Sequence, residues 1–274
     1  MRTLSGWTGS AEYFQFREAT TRDVSEVGRL LDAVLRRDVL GVVFRQWAST
    51  GECRRILRAF TESLDRRLRS SEAPSFYLGS YHYHRSPSEY VADGGPANAA
   101  VGHVLGREDP WSRFWHASAA GGRQSRLARF EGLEACGALI RSWSSQGEYA
   151  LVPHEDYSQC VEPSQRGFEI QDAAARMCAS NLCLANDGGA GRLIVWNLVP
   201  DDATRVAWGA DVDGAPYPED GLSAVPRQAL DVHPGDLYVF NSRHIHAVEQ
   251  QAGDRATIAC LLGGLPDGEV IRWT

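Results

Sequence analysis

The sequence predicts a mainly β protein with N-terminal helices, its second half an antiparallel jelly roll. From residue 137 onward, short apolar, β-branched runs recur about every 8–14 residues, the rhythm of a sandwich or jelly roll. Turns rich in Gly, Asp, Asn and Pro separate them, such as Asn186-Asp187-Gly188-Gly189-Ala190-Gly191 and Pro234-Gly235-Asp236. No long amphipathic helix interrupts the series, which argues against alternating βαβ units. With no repeat and no visible linker, residues 1–274 read as a single domain. Within it, 1–136 form a mixed helical support region and 137–265 the jelly-roll core.

Thr20 to Arg37 carries Val24, Val27, Leu30, Leu31, Val34 and Leu35 at helical spacing, with Thr20 and Asp23 placed as a capping box. Val39 to Phe44 is a short β-branched run and predicts a strand. Ser49-Thr50-Gly51-Glu52 is a fuller capping box, and Ile56, Leu57, Phe60, Leu64 and Leu68 continue one helical face behind it. Phe76 to His84 alternates aromatic with small or polar residues and predicts a strand, whereas residues 108–135 predict helix. The strands of the core follow at Gly137–Trp143, Gly147–His154, Arg176–Leu184, Arg192–Val199, Leu237–Phe240, Ile245–Glu249 and Thr257–Leu262. Residues 86–122 and 200–230 are expected to cover the mouth of the core, as parts of the helical region and as loops.

A chain of 274 residues, 43% of them hydrophobic, buries enough apolar surface to fold without disulfides or a structural metal. Lys and Arg number 28 against 35 Asp and Glu, a net charge of −7, and no basic run interleaves with aromatics. A nucleic-acid polymer is therefore not an expected partner. The six cysteines include no Cys-x-x-Cys pair and read as buried free thiols of a reducing compartment. Met1-Arg2-Thr3-Leu4-Ser5-Gly6-Trp7 lacks the apolar core of a signal peptide, and no run approaches about 18 apolar residues. A cytoplasmic monomer or homodimer without membrane contact is expected.

The chemistry starts at Leu151-Val152-Pro153-His154-Glu155-Asp156-Tyr157. On extended backbone, residues two apart point the same way, so His154 and Asp156 project together and Glu155 turns aside. Far downstream, an apolar strand launched by Gly235-Asp236 is followed by His246. If residues 251–254 turn a hairpin, Val248 pairs with Thr257 and His246 with Ala259, and His246, Val248, Arg255 and Thr257 share a face. Arg255 then stands roughly 13 Å along the strand from the position opposite His246. The gap left by its own reach suits a short diacid that chelates a metal at one end and meets the guanidinium at the other. Two imidazoles and one carboxylate, with three positions open, are the facial triad of non-haem Fe(II) oxygenases.

His244, two residues from His246, is the rival third ligand and otherwise a rim residue able to meet substrate. Arg141 is a candidate grip for an anionic substrate group, its alternative being a solvated or salt-bridged strand arginine, and Trp143 is a candidate pocket wall. His82 and His84 read as an aromatic surface or pocket wall rather than a second metal site.

These pieces resemble the Fe(II)/2-oxoglutarate-dependent oxygenase superfamily, whose core is a double-stranded β-helix, a cupin-like jelly roll. The matching residues are His154-Glu155-Asp156, the distal His246, and Val248, Gly253 and Arg255 beyond it. Asn181-Leu182-Cys183-Leu184, the Gly-rich turn and Arg192-Leu193-Ile194-Val195-Trp196-Asn197 are similar to that family's middle hairpin. The resemblance spans about residues 137–265. It implies Fe(II) on His154, Asp156 and His246, with 2-oxoglutarate as cosubstrate and O₂ as oxidant. It further implies that Arg255, assisted by Thr257, binds the distal carboxylate of 2-oxoglutarate, that Asn181 lines the keto-acid pocket, and that succinate and CO₂ are coproducts. Related halogenases carry Gly or Ala where Asp156 stands, so the implied reaction is hydroxylation of a small metabolite such as an amino acid, with desaturation or cyclisation as variants. Two other classes stay open. A cupin-like metalloenzyme (isomerase, lyase or keto-acid-independent dioxygenase) would have no need of Arg255, and a non-catalytic jelly-roll binding module would keep its metal content in His154→Ala.

Overall fold

The computed structural model describes residues 4–20, 23–70, 75–144, 149–186, 191–250 and 253–274. Strands β1 (Phe16–Ala19) and β2 (Gly41–Phe44) flank helix α1 (Val24–Leu35). Its N-cap is Asp23, whose carboxylate accepts from the Ser25 N–H at 2.9 Å, so the cap expected at Thr20 falls three residues later. Helix α2 (Thr50–Glu62) opens on the capping box of Ser49 and Glu52, bonded reciprocally. It stops at Glu62, so Leu64 and Leu68 do not extend its buried face; both are exposed, Leu68 within β3 (Arg67–Ser70). The strand expected over 76–84 is only β4 (Ser75–Leu78), because Gly79 (φ 119°) and His84 (φ 58°) turn the chain.

Residues 87–105 and 110–120 are helical. Helices α3 (Pro87–Leu105) and α4 (Pro110–Ala120) each begin with Pro in the first turn behind a capping side chain, Ser86 and Asp109. The helix expected to reach 135 ends at Ala120, and short strands fill 125–134. The core then runs through β5 (Leu139–Ser144), β6 (Tyr149–His154), α5 (Tyr157–Val161), β7 (Met177–Asn186) and β8 (Leu193–Trp196). It continues with α6 (Asp202–Trp208), β9 (Arg227–Leu230), β10 (Leu237–Phe240), β11 (His246–Glu249), β12 (Asp254–Gly264) and β13 (Val270–Trp273). The beginning of the strand expected from Gly147, the Gly-rich turn at 187–190 and positions 251–252 lie outside the described residues.

The strands form the two sheets of a jelly roll. The large sheet runs β1-β2-β10-β7-β12-β5-β4-β3, with β13 beside β12; the small one runs β6-β11-β8-β9. Residues before 137 therefore supply five strands of the large sheet as well as helices, the fifth being Ser125–Leu127, which runs parallel to β13. The expected hairpin between His246 and Ala259 does not form. β11 pairs with β6 and β8, while β12 has β7 on one edge and β5 and β13 on the other, leaving no edge for β11. The segment between them crosses from one sheet to the other. β7 and β8 are likewise split between the sheets, so the expected middle hairpin is also a crossover.

Alternation in the large sheet separates scaffold from site. Ile140, Leu182, Val239, Ala256, Ile258 and Leu262 face the helical layer, packing with Val27, Leu31, Ile56, Phe60 and Phe114. Burial of such side chains contributes about 1.5–3 kcal/mol each. Their odd or even neighbours, Leu139, Arg141, Trp143, Ala179, Asn181, Tyr238, Phe240, Arg255, Ala259 and Leu261, line a cavity on the opposite face. All six cysteines are free and buried. Among the described residues, no helix is long and apolar enough to cross a membrane.

Candidate active site

The cavity lies between the sheets. From the small sheet come Leu151, His154, Leu193, His246 and Val248; strand register places His154 beside His246, and His246 beside Val195. β6 carries two register shifts against β11, which bring both Leu151 and His154 to the cavity although they are three residues apart. Asp156 is not on extended backbone. It follows the strand end at φ −94° and ψ −8°, and its N–H donates to Ser242 O at 3.1 Å. A turn pinned to the segment before His246, not strand alternation, therefore brings its carboxylate to the histidines.

The three donors converge. His154 Nε2 lies 3.8 Å from Asp156 Oδ1, His246 Nε2 lies 3.8 Å from Asp156 Oδ2, and all three ligand atoms lie within 4.8 Å of one another. Each imidazole is oriented by its other nitrogen. His154 Nδ1 is 2.8 Å from Val152 O, and His246 Nδ1 is 2.9 Å from His244 O. A carbonyl oxygen only accepts, so Nδ1 carries the proton in both rings and Nε2 presents its lone pair to the centre. Burial lowers both histidines, His154 to about 3 with His246 adding to the shift, and His246 to about 4. Burial raises the Asp156 carboxyl, opposed by His154 and a Ser242 hydrogen bond. Two neutral imidazoles and one carboxylate fit a divalent transition ion, whose bonds of about 2.1 Å would draw the donors slightly inward.

Across the cavity, the Arg255 side chain is fully buried. It donates to Gly191 O and, at 3.3 Å, to Tyr238 Oη, while its Nε has no partner. Asn181 stands in one register row with Tyr238, Ala259 and Leu139 and lines the cavity. Thr257 is in the row between, opposite Arg141; its buried hydroxyl has no partner, and it does not itself line the cavity. Trp143 pairs in register with Arg255 and forms part of the wall. Arg141 lines the cavity too, with its guanidinium 5.0 Å from the Trp143 ring. Tyr238 and Gln159 are lining residues that the pattern reading missed. The signal for Tyr238 was present, since it alternates with core-facing Leu237 and Val239.

His244 is not in the site. Residues 241–245 form a turn, and its ring is directed away into a cluster of Trp7, Tyr13 and Phe14. Its Nδ1 donates to Trp196 O at 2.9 Å and its Nε2 accepts from Tyr13 Oη at 3.1 Å, so both the ligand and the substrate-contact readings fail. His82 is a buried cavity wall, with Nδ1 3.1 Å from Thr274 O; His84 is exposed on a turn. Glu155 turns away from the triad. Its carboxylate accepts from the N–H groups of Tyr157 and Ser158 and pairs with Arg205 Nε at 3.2 Å. Gly214 permits this packing, since a Cβ there would stand 2.0 Å from Glu155 O.

No family model matches the sequence. An L-isoleucine 3(1)-dioxygenase from Pantoea ananatis is 30% identical over 245 residues, spanning 85% of this chain and 82% of that protein. Among solved structures, an N-substituted L-amino acid dioxygenase from Burkholderia ambifaria matches with a TM-score of 0.63 at 18% identity, over 90% of this chain and 91% of that one. A structure of an N-substituted L-amino acid dioxygenase in complex with alpha-KG, from the same organism, gives a TM-score of 0.60 at 18% identity over the same shares. These likenesses show a common fold.

Proposed function

Because the chain belongs to the Fe(II)/2-oxoglutarate-dependent oxygenase superfamily, we propose that His154, Asp156 and His246 hold its iron and that Arg255 holds the distal carboxylate of 2-oxoglutarate. The proposed reaction is hydroxylation of a small metabolite of the amino-acid type. The observation that carries this reading is the convergence of three donor atoms within 4.8 Å, facing a buried guanidinium across one cavity. A cupin-like metalloenzyme would not need that guanidinium.

Bound iron supplies O₂ activation coupled to decarboxylation of the keto acid, giving succinate and CO₂. The chain supplies the rest. The Val152 and His244 carbonyls hold the imidazoles in the ligating tautomer. Arg255, steadied by Gly191 O and Tyr238 Oη, keeps donors free for a bidentate pair with a carboxylate. Asn181 and Tyr238 border the same cavity, and Thr257, two residues from Arg255 on the same strand with a buried unpaired hydroxyl, assists it at the distal carboxylate. Leu139, Leu151, Leu193 and Val248 exclude water from the reacting centre. The carboxylate of Asp156 occupies the position that halogenases leave open, which favours hydroxylation. We place this activity in a single cytoplasmic domain, monomeric or homodimeric, acting on a small molecule.

The test is anaerobic addition of Fe(II) and then 2-oxoglutarate, followed by visible absorption. The expected result is a weak charge-transfer band that requires both additions, is absent in His154→Ala, and precedes succinate formation when O₂ is admitted. An intact protein that binds Fe(II) but shows no band would return the assignment to the cupin-like class; unchanged metal content in His154→Ala would favour a binding module.

A further inference from the structure

Two guanidinium groups line the cavity, and only one is accounted for by the keto acid. Arg141 projects from β5 in register with Thr257 of β12 on one side and Tyr77 of β4 on the other. Its Nε is sealed from solvent and has no hydrogen-bond partner. The charged and phenolic groups that face it are Tyr83, Arg69, Tyr238 and Asp156, and the only carboxylate of these is the one in the triad. Three other arginines drawn into the fold meet carboxylates, Arg45 with Asp236 at 2.7 Å, Arg126 with Glu169 at 2.7 Å and Arg205 with Glu155 at 3.2 Å, whereas Arg243 and Arg272 rest on the rings of Tyr157 and Trp115 at 4.8 and 4.4 Å and line no part of the cavity. Arg141 as a whole is half-buried, and a guanidinium turned into a cavity without a counter-charge loses part of its hydration, a cost that falls when an anion arrives.

A charge count across the cavity gives the sign of the missing group. A divalent ion with Asp156, Arg255 and Arg141 carries three net positive charges, and the keto diacid brings two negative ones. One more carboxylate closes the count. The keto acid's metal-bound end is neutralised by the ion, which leaves Arg141 for another molecule. Beside Arg141 stand Tyr81 and Tyr83, stacked at 4.3 Å with 16° between ring planes and braced by Arg69 at 5.7 and 5.2 Å. This flat wall is built to receive the body of an organic molecule whose acid end is fixed.

We infer that Arg141 anchors the carboxylate of the oxidised substrate, which lies against Tyr81 and Tyr83, so that a free carboxylate is a condition of turnover. The inference rests on the iron and 2-oxoglutarate reading above. A substrate presented this way is held by its acid end, leaving its side chain among Leu139, Leu151 and Val248, near the iron ligands.

Succinate formation is measured with Fe(II), 2-oxoglutarate and a panel of the proteinogenic L-amino acids, their N-acetyl and N-succinyl derivatives, and the matching carboxamides. At least one carboxylate is expected to stimulate turnover, and its carboxamide is expected to fall by about 100-fold or more in kcat/KM, because the cavity's guanidinium is then left without its anion. With that acid, Arg141→Met is expected to raise KM by on the order of 100-fold and Arg141→Lys to recover part of the loss. In the same variants, half-saturation of the anaerobic 2-oxoglutarate band should move less than about threefold, since that contact belongs to Arg255. The inference is overturned if no carboxylate in the panel stimulates turnover, if a carboxamide serves as well as its acid, or if Arg141→Met weakens 2-oxoglutarate as much as substrate. The wild-type comparison of acid and carboxamide holds even if the Met variant does not fold. Loss of the band in the wild-type protein would instead remove the underlying reading.

Discussion

Arg205 and Arg141 approach the segment around Asp156 from opposite directions, and their surroundings differ. Arg205, from α6, has only 6% of its side chain exposed; it pairs with Glu155 and Asp202 and lies 4.6 Å from the Tyr157 ring. Arg243 covers the same ring at 4.8 Å. These contacts join α6, α5 and the turn before His246, which are the elements that aim Asp156 and His246. Arg141 is on the cavity side, and among the described residues the carboxylate that acts on it is that of Asp156. The Arg205 pair braces the frame around the triad, while Arg141 faces the cavity, where we infer that it meets a ligand. The difference teaches how to sort buried cations: the question is where the counter-charge comes from.

The largest expected effect breaks the framework side. Arg205→Met should cost about 3–5 kcal/mol of stability by chemical denaturation, because the Glu155 carboxylate stays buried and loses its cation. Arg141→Met should cost far less or nothing in the same measurement; equal losses would erase the distinction. Next comes Arg255→Met, expected to weaken 2-oxoglutarate by about 100-fold in the anaerobic titration while iron content is unchanged. Parallel loss of both ligands would mean that Arg255 belongs with Arg205.

A smaller effect comes from the histidines. Burial pulls His82, His244 and His246 to about 4 and His154 to about 3, whereas in the unfolded chain each returns to about 6.5. Below pH 6.5 the unfolded chain takes up protons that the folded one refuses, so stability falls as pH drops from 6.5 toward 4. Roughly 1 kcal/mol per histidine is expected to be lost at pH 5.5, read as a falling melting temperature of the metal-free protein. Metal loading should extend the dependence due to His154 and His246 below pH 4, because ligation keeps both imidazoles unprotonated in the folded chain, and leave that of His82 and His244 unchanged, separating the two sets. The smallest change is Tyr157→Leu, expected to cost about 1 kcal/mol, with Tyr157→Phe close to neutral because the ring face is kept.

The chemistry was more legible in the sequence than the path of the chain that builds it. His154, Asp156 and His246 stood out by residue type, and the short strands by alternation, yet the reasoning that joined them needed correction. A turn signal says that a strand ends; it does not say whether the next strand returns to the same sheet. That is why the link between β11 and β12 reads as a hairpin when it is a crossover. Asp156 reaches the histidines through a helical-region turn held by Ser242 O, a contact that spacing cannot show. Helix α3 escaped notice because Gly94, Gly95 and Pro96 interrupt its apolar pattern, although Ser86 and Glu89 form a capping box at its start. His244 looked like a partner of His246 only on the assumption of extended backbone, which the turn at 241–245 does not satisfy.

The proposed iron donors belong to one sheet and its trailing turn, and Arg255 to the other, so the gap between sheets acts as a caliper. Its setting is fixed by Val195 and Leu230 of the small sheet packed with Cys183 and Phe240 of the large one. A keto acid one methylene shorter would leave the jaw closing on empty space, and one longer would have to wedge two close-packed layers apart. Val195 and Leu230 line no part of the cavity, so under the proposed roles of the triad and Arg255, enlarging or trimming them should retune the preference for cosubstrate length without any change to the ligands themselves.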